Sequence, residues 1–389
     1  MQEAQFYALN SQVLWMTFAL MGVLGFVAHR THFCTMGAIV DVLSFGAWKR
    51  ASQVLLAMSV SLLGFSALVG LGAIHPAQTL YASSKWFWLS DALGGFMFGA
   101  GMVLASGCGN KTLVRMGAGN LKSWVVFVVM GLSAWATLKG ITAVFRVHVL
   151  ETFFVSLPGG GSWAELLCGA QALESGTWVG LPLQASVFTL MGGCLGVLLI
   201  VACVGLLLRS QDKPTGGVDT FKMLWPGLVV GLVVTLAWIL SGVVGHVTES
   251  PLSLEEVFLA SQTGKIEAVT FVSPMAYVLD WLIFYSDESK VLGYAAVSAL
   301  GVVAGAFVSA LLAQSFRWEG FADTADLGLH LLGAMSMGVG GVVAMGCTFG
   351  QGMSGFSTLS VNALEVIIFS VLGAVLAFQY QSWRLERML

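Results

Sequence analysis

One ten-residue pattern occurs twice in this chain, 239 positions apart. It reads Gly99-Ala-Gly-Met-Val-Leu-Ala-Ser-Gly-Cys108 in the first half and Gly338-Val-Gly-Gly-Val-Val-Ala-Met-Gly-Cys347 in the second, with six of the ten positions identical. The offset extends beyond the pattern: Thr31, Cys34, Asp41 and Phe45 align with Thr270, Ser273, Asp280 and Phe284. The apolar stretch 52–74 maps onto 291–313, and 123–141 onto 362–380. A duplicated apolar segment, interrupted beside a reactive side chain, is how many membrane transporters build a substrate site. The spacing predicts one integral membrane domain over residues 1–389, with repeat one at about 12–141 and repeat two at about 225–380.

The remaining residues permit that architecture and exclude most others. Of 389 residues, 57% are hydrophobic and only 10% charged, which places the chain in the membrane class. Forty-eight glycines among unbroken apolar runs argue against a β-barrel and for helices that pack closely or break within the bilayer. A net charge of −3, thinly spread, offers no surface for nucleic acid. The first ten residues hold no Lys or Arg, so the first apolar stretch is expected to be a retained helix and not a cleaved signal.

Nine stretches approach the length of a membrane crossing: 12–28, 52–74, 92–108, 123–141, 186–208, 225–244, 291–313, 331–347 and 362–380. Two shorter apolar pieces, 33–46 and 272–285, are expected to be re-entrant or to end at the midplane. The fold class expected is an all-α polytopic membrane protein of about nine transmembrane helices plus short re-entrant segments. Five crossings separate Thr31 from Thr270, and an odd number inverts the second repeat relative to the first. Lys49, Arg50, Lys111, Arg115, Lys122, Arg317 and most other cations fall on one side of this scheme. Lys85, Lys139, Arg146, Lys265 and Lys290 fall on the other. The positive-inside rule then puts the N-terminus outside, the C-terminus in the cytoplasm and the long connections 142–185 and 245–271 outside.

Six cysteines occur, at 34, 108, 168, 194, 203 and 347, without a C-x-x-C pair or a nearby histidine at ligand spacing, so no metal site is expected. Cys168 lies in a polar connection, and Cys194 and Cys203 fit an apolar helix as small buried hydrophobes. Cys34, Cys108 and Cys347 differ, because each stands among small or polar residues inside an otherwise apolar chain. Glycines beside them free backbone N–H groups for a ligand, and a helix starting there points its positive end at an anion. Asn110, Lys111 and Arg115 follow Cys108, while Gln351 and Ser354 follow Cys347. Lys111 and Arg115 share a helical face with Cys108 and suit an anion, although both also serve as topology-setting charges. Asp41 and Asp280 are expected to cap short helices.

Three segments carry a wider likeness: Arg30-Thr-His-Phe-Cys-Thr-Met-Gly-Ala-Ile-Val-Asp41, Ala105-Ser-Gly-Cys-Gly-Asn-Lys-Thr-Leu-Val-Arg115 and Gly346-Cys-Thr-Phe-Gly-Gln-Gly-Met-Ser-Gly355. In this order they resemble the YeeE/YedE family of sulfur transport proteins, over almost the whole chain. The resemblance implies a pseudo-symmetric bacterial inner-membrane protein, pinched in the middle, that takes up thiosulfate. It also implies that Cys34, Cys108 and Cys347 relay the anion by S–H···S hydrogen bonds to its terminal sulfur. A small cytoplasmic sulfur carrier resembling TusA is an implied partner, and the chain's end at Leu389 leads one to expect no such domain fused to it.

A thiol is a weak donor and a soft neighbour for sulfur, in keeping with such cargo. No Walker-type phosphate loop occurs, so any ATP dependence would require another chain. Cys347 has no cation nearby in sequence to activate it, so a transporter and not an enzyme is expected. Two rivals remain at this point. One is a membrane sulfurtransferase or thiol oxidoreductase, in which Lys111 and Arg115 would favour a nucleophilic thiolate at Cys108 that forms a persulfide or disulfide. The other is a carrier of a different soft sulfur or selenium species.

Overall fold

The computed structural model describes residues 3–83, 85–156, 182–209, 217–248, 256–287, 290–321 and 323–387. Its first half runs through α1 (Glu3–Thr31), α2 (Thr35–Phe45), α3 (Lys49–Gly70), α4 (Trp88–Leu104), α5 (Gly109–Gly117), α6 (Leu121–Lys139) and α7 (Ile141–Phe145). The chain then continues with α8 (Pro182–Arg209), α9 (Gly217–Ile239), α10 (Val272–Ile283), α11 (Tyr294–Leu312), α12 (Thr324–Val343) and α13 (Val361–Glu386). Wide π-type turns extend α7 over Arg146–Leu150 and α9 over Leu240–Val244, and a third spans Gly350–Gly355. Two short antiparallel ribbons, Lys85–Trp86 with Val155–Ser156 and His246–Val247 with Val257–Phe258, are the strand pairs among the described residues.

Among the described residues, nine helical stretches are long and apolar enough to cross a membrane, and the protein is an all-α polytopic membrane protein. Its burial pattern fits that solvent. Trp15, Leu190, Val201, Ile368 and Leu376 are exposed on the outer surface, while Asp91, Asn110, Gln351, Ser354 and Asn362 are buried. In a soluble protein such a distribution would be costly, whereas a lipid surround takes the apolar side chains at no loss. The short stretches expected at 33–46 and 272–285 are the helices α2 and α10, too short to span. Other boundaries differ by a few residues. Helix α9 begins well before 225 and runs through Pro226, and the connection expected from 142 opens as helix through Leu150.

Equivalent places in the packing are held by α3 and α11, α4 and α12, and α6 and α13, each about 239 residues apart, and by α1 and α9, which are offset by less. Helix α1 lies on α11 as α9 lies on α3, and α4 lies on α13 as α12 lies on α6. The helices that carry the duplicated pattern, α4 and α12, also pack on each other. Their approach is limited by backbone atoms. A methyl group on Gly101 would come within 2.7 Å of the Gly333 carbonyl oxygen, and one on Gly340 within 2.7 Å of the Gly94 carbonyl oxygen. Small residues at a crossing allow this contact where no hydrophobic effect drives helices together.

Gly101→Ala and Gly340→Ala are each expected to destabilise the protein by about 1–3 kcal/mol, the usual cost of overpacking a tight contact. The measurement is the thermal unfolding midpoint in detergent. An unchanged midpoint in both variants would show that the crossing has slack the structure does not.

Candidate functional site

Both copies of the duplicated pattern end in the same device. Helix α4 stops at Leu104, and Ser106 then takes φ 53°, while α12 stops at Val343 and the equivalent Met345 takes φ 52°. Around the first break, Gly107 N–H donates to the Met102 carbonyl at 2.8 Å and Ser106 N–H to Val103 at 3.1 Å. Around the second, Gly346 donates to Gly341 at 2.8 Å and Met345 to Val342 at 3.0 Å. This paired closure satisfies the last carbonyls of a helix that ends inside the protein. The left-handed positions are held by serine and methionine, although glycine is adjacent in both copies and would adopt that conformation at lower cost.

Each break delivers a cysteine to the start of the next segment. Cys108 is the N-cap of α5, and its extended backbone (φ −81°, ψ 177°) turns the chain into that helix. Cys347 precedes the Gly350–Gly355 turn, and its Sγ accepts the Gly350 N–H at 3.2 Å. Cys34 is the N-cap of α2, with Sγ accepting the Gly37 N–H at 3.3 Å. All three cysteines are buried. In the Cys34 and Cys347 caps the sulfur receives a backbone hydrogen bond, which leaves the thiol's own proton free to point elsewhere.

The structure brings Cys34 and Cys108 together. Their side chains are neighbours, and the Thr35 hydroxyl lies beside Cys108 as well. Cys347 belongs to a second group, joined to the first by the hydroxyls of Thr35 and Thr348 at 3.1 Å. The Thr270 hydroxyl stands 3.9 Å from the Cys347 sulfur. Three buried phenylalanines fill the space around this junction. Phe349 lies edge-on to both Phe33 and Phe271, with centroids 6.3 and 5.1 Å apart.

Cys34 opens onto a cavity of about 380 Å³ whose wall includes His29, His32, Arg50, Lys111, Arg115 and Arg317. Glu319 is its one carboxylate among the described residues. Lys111 and Arg115 thus give this cavity positive charge, and Arg115 also donates to the Ser106 carbonyl at 3.2 Å, bracing the break. Asn110 is buried beside Cys108, with no hydrogen-bond partner for its Oδ1 among the described residues. Gln351 donates from Nε2 to the Ala344 carbonyl at 2.8 Å and leaves Oε1 without a partner. The Ser354 hydroxyl is committed to the Val269 carbonyl at 2.9 Å, a structural tie between the second turn and the segment before α10.

The aromatic junction and Arg317 lie outside the residues that the sequence pattern selected. Arg317 is about 200 positions from Lys111, so no local pattern could join them. Phe33 and Phe349 stand beside the cysteines but look like ordinary apolar residues. Asp41 and Asp280 do not cap helix N-termini. Asp41 pairs with Arg50 at 3.1 Å, while Asp280 binds Lys139 at 3.0 Å and Lys290 at 3.4 Å near the end of α10. Cys203 is buried and donates to the Ser52 carbonyl at 3.1 Å, whereas Cys194 is exposed on the outer face of α8, contrary to its expected burial. Cys168 lies outside the described residues.

One acid sits near the second group. Glu267, outside the spans, is buried, and burial holds its carboxyl above the usual range against hydrogen bonds from Thr263 and Ser261. A carboxyl raised in the folded state stabilises the fold at low pH and loses that contribution as pH climbs through the raised value. Glu267→Gln is therefore expected to flatten the fall in thermal midpoint as pH rises from the ordinary carboxyl range to the raised value. An equally steep fall in the variant would contradict it.

The contact between Cys34 and Cys108 has its own chemical test. Phenylarsine oxide, which bridges neighbouring thiols, is expected to modify a variant whose only cysteines are 34 and 108 and to spare one that keeps 34 and 347. Equal modification of both would refute the arrangement.

A profile of the sulphur transport family matches residues 30–376. The chain is 25% identical over 371 residues to the thiosulfate transporter TsuA of Escherichia coli K12, covering 90% of each. It is 24% identical over 370 residues to the thiosulfate transporter TsuA of Spirochaeta thermophila, covering 93% of this chain and 97% of that one. A shorter match, 31% identical over 108 residues, joins 28% of the chain to 25% of the probable transporter YedE of Escherichia coli K12. With the match running through all three cysteine segments, the chain belongs to the sulphur transport family, the YeeE/YedE group of membrane transport proteins.

Proposed function

We propose that this protein imports thiosulfate, or a closely related inorganic sulfur anion, across the bacterial inner membrane. The observation that carries the proposal is the placing of two buried thiols, Cys34 and Cys108, as neighbours beside a cavity walled by basic side chains. The names of the two full-length relatives support the cargo. Thiosulfate has one terminal sulfur and three oxygens. The thiols suit the sulfur by S–H···S hydrogen bonding, and the cations suit the charge. Cys347 acts first, from the outer side, and the anion passes the phenylalanine junction to Cys108 and Cys34. Lys111 and Arg115 receive it in the basic cavity, and Asn110 and Gln351 offer amide groups along the way. Ser354 keeps the second turn in place.

The two halves act as inverted copies around this path, with the N-terminus outside and the C-terminus in the cytoplasm. The grouping of cations supports that orientation. Arg50, Lys111, Arg115 and Arg317 meet in one cavity, while Lys139 and Lys290 meet at Asp280. A small cytoplasmic carrier resembling TusA takes the anion from the basic cavity. Inward movement needs a driving force, because each negative charge moved against 100 mV, inside negative, costs about 2.3 kcal/mol.

The test is uptake of radiolabelled thiosulfate by cells that lack their own importers. Wild type is expected to restore uptake, and Cys108→Ala and Cys347→Ala to reduce it at least tenfold at equal membrane expression. Undiminished uptake in either variant would remove that thiol from the path. A stoichiometric persulfide on purified protein after exposure to thiosulfate would replace hydrogen-bonded relay with covalent transfer.

A further inference from the structure

Helix α4 carries a carboxyl into the span at its first turn. Asp91 is 0% exposed, and neither carboxylate oxygen has a hydrogen-bond partner among the described residues. The packing of α4 on α13 defines what faces it. A methyl group on Gly95 would strike the backbone of Val366, and one on Gly99 the backbone of Ser370. The two helices therefore run parallel with a constant offset of 271 residues, and one turn earlier that register sets Asp91 opposite Asn362. Asn362 is buried too, with its Oδ1 unpartnered. Glu365, one turn further along α13, lies within electrostatic reach of Asp91 and accepts the Trp86 indole N–H at 2.5 Å.

Among the described residues no cation pairs with this group. On the α12 side, Gly94 meets Gly340 and Ala344, and the Ser90 hydroxyl donates to the Val343 carbonyl at 2.9 Å. The turn Arg146–Leu150 also packs on α4, and it carries Arg146, held by Glu151 at 3.0 Å, and His148. A carboxylate buried in a membrane without donor or counter-charge is costly, and it is carried because its charge state is used. Two carboxyls and one amide oxygen converge here, and with the Trp86 indole N–H given to Glu365, Asp91 and the Asn362 oxygen have no donor among the described residues. A proton supplies what they lack: on Asp91 it makes a neutral acid able to donate to an acceptor such as the Asn362 oxygen. Among the described residues no set of three or more metal-binding side chains occurs, which favours a proton over a metal ion.

We propose that Asp91, with Asn362 and Glu365, forms an intramembrane proton-binding site whose loading is coupled to movement of the anion. This rests on the transport reading above. The site is linked to the second thiol turn by short contacts. Ser90 holds the end of α12 at Val343, Gly94 abuts Ala344, and the Ala344 carbonyl receives Gln351 from the turn that follows Cys347. A proton taken up from outside offsets negative charge carried inward, and the loaded and empty forms of Asp91 favour different settings of that turn.

The test uses purified full-length protein in proteoliposomes, with Asp91→Asn and Asp91→Glu, each checked for monodisperse elution. Wild type is expected to accumulate thiosulfate when an inward proton gradient is imposed. Asp91→Asn is expected to lose that response at least tenfold while still exchanging labelled for unlabelled thiosulfate, and Asp91→Glu to keep the response. Infrared spectra supply a readout independent of cargo: wild type shows a protonated-carboxyl C=O stretch that Asp91→Asn lacks and Asp91→Glu retains at a shifted position. Gradient-driven accumulation in Asp91→Asn equal to wild type overturns the coupling. A carboxyl band unchanged by Asp91→Asn overturns the proton site. Wild type that moves no thiosulfate at all overturns the cargo, and the infrared band then decides the proton site by itself.

Discussion

A helix that ends inside a membrane protein must find partners for its last carbonyls, because no water is there to take them. Everything around the thiols follows from how this chain meets that demand. In both halves the backbone folds back on itself at a left-handed residue, Ser106 or Met345, and closes two hydrogen bonds to the preceding turn. Arg115 and Gln351, from the segments that follow, then bind the Ser106 and Ala344 carbonyls. Only with those groups satisfied can the chain restart as α5 or as the Gly350–Gly355 turn. The cysteine stands between the two pieces, where backbone N–H groups face inward.

Much of this was legible in the sequence, for a definable reason. The duplicated pattern reports backbone geometry, and geometry repeats wherever the glycines do. It placed both breaks and the cysteines that follow them, Cys108 and Cys347, whereas Cys34 has Ser273 as its counterpart and stood out by its small and polar neighbours, and run length marked the short helices α2 and α10. Composition and run length gave the spans, since a lipid surround demands apolar stretches that no soluble fold needs. What stayed hidden depended on distant parts of the chain meeting. Arg317 joins Lys111 and Arg115 only because α11 packs on α5, and Phe33, Phe271 and Phe349 form a junction only once the segments just before α2 and α10 reach the turn after Cys347. The Asp41 and Asp280 pairs misled a reading based on capping, because their partners lie beyond the helix end and not at its start. Cys194 was misjudged for a simpler reason, since lipid accepts on the outside what a soluble fold would place within.

The halves are alike without being equal. Helix α10 packs along α6, but between α2 and α13 an apolar cavity of about 360 Å³ remains, reaching inward to Thr35 and Thr348. A single pair of positions accounts for much of the difference. On α6, Gly131 lies against Leu279 and the Met275 carbonyl of α10. Its counterpart on α13, 239 residues later, is Ser370, whose hydroxyl is bound to the Gly95 carbonyl at 3.1 Å. Without the glycine the short helix of the first repeat packs less closely on α13 than α10 does on α6.

The reciprocal contact between α4 and α12 sets a limit on how the two copies can drift apart in evolution. Gly101 faces Gly333 and Gly340 faces Gly94, so each of the helices that carry the pattern is the other's boundary. A larger residue accepted in one copy would shift the opposite helix, and with it the opposite break and its cysteine. Duplicated genes ordinarily free one copy to change. Here the fusion of both into one chain removed that freedom, and the old sequence survives in each half because the other half holds it there.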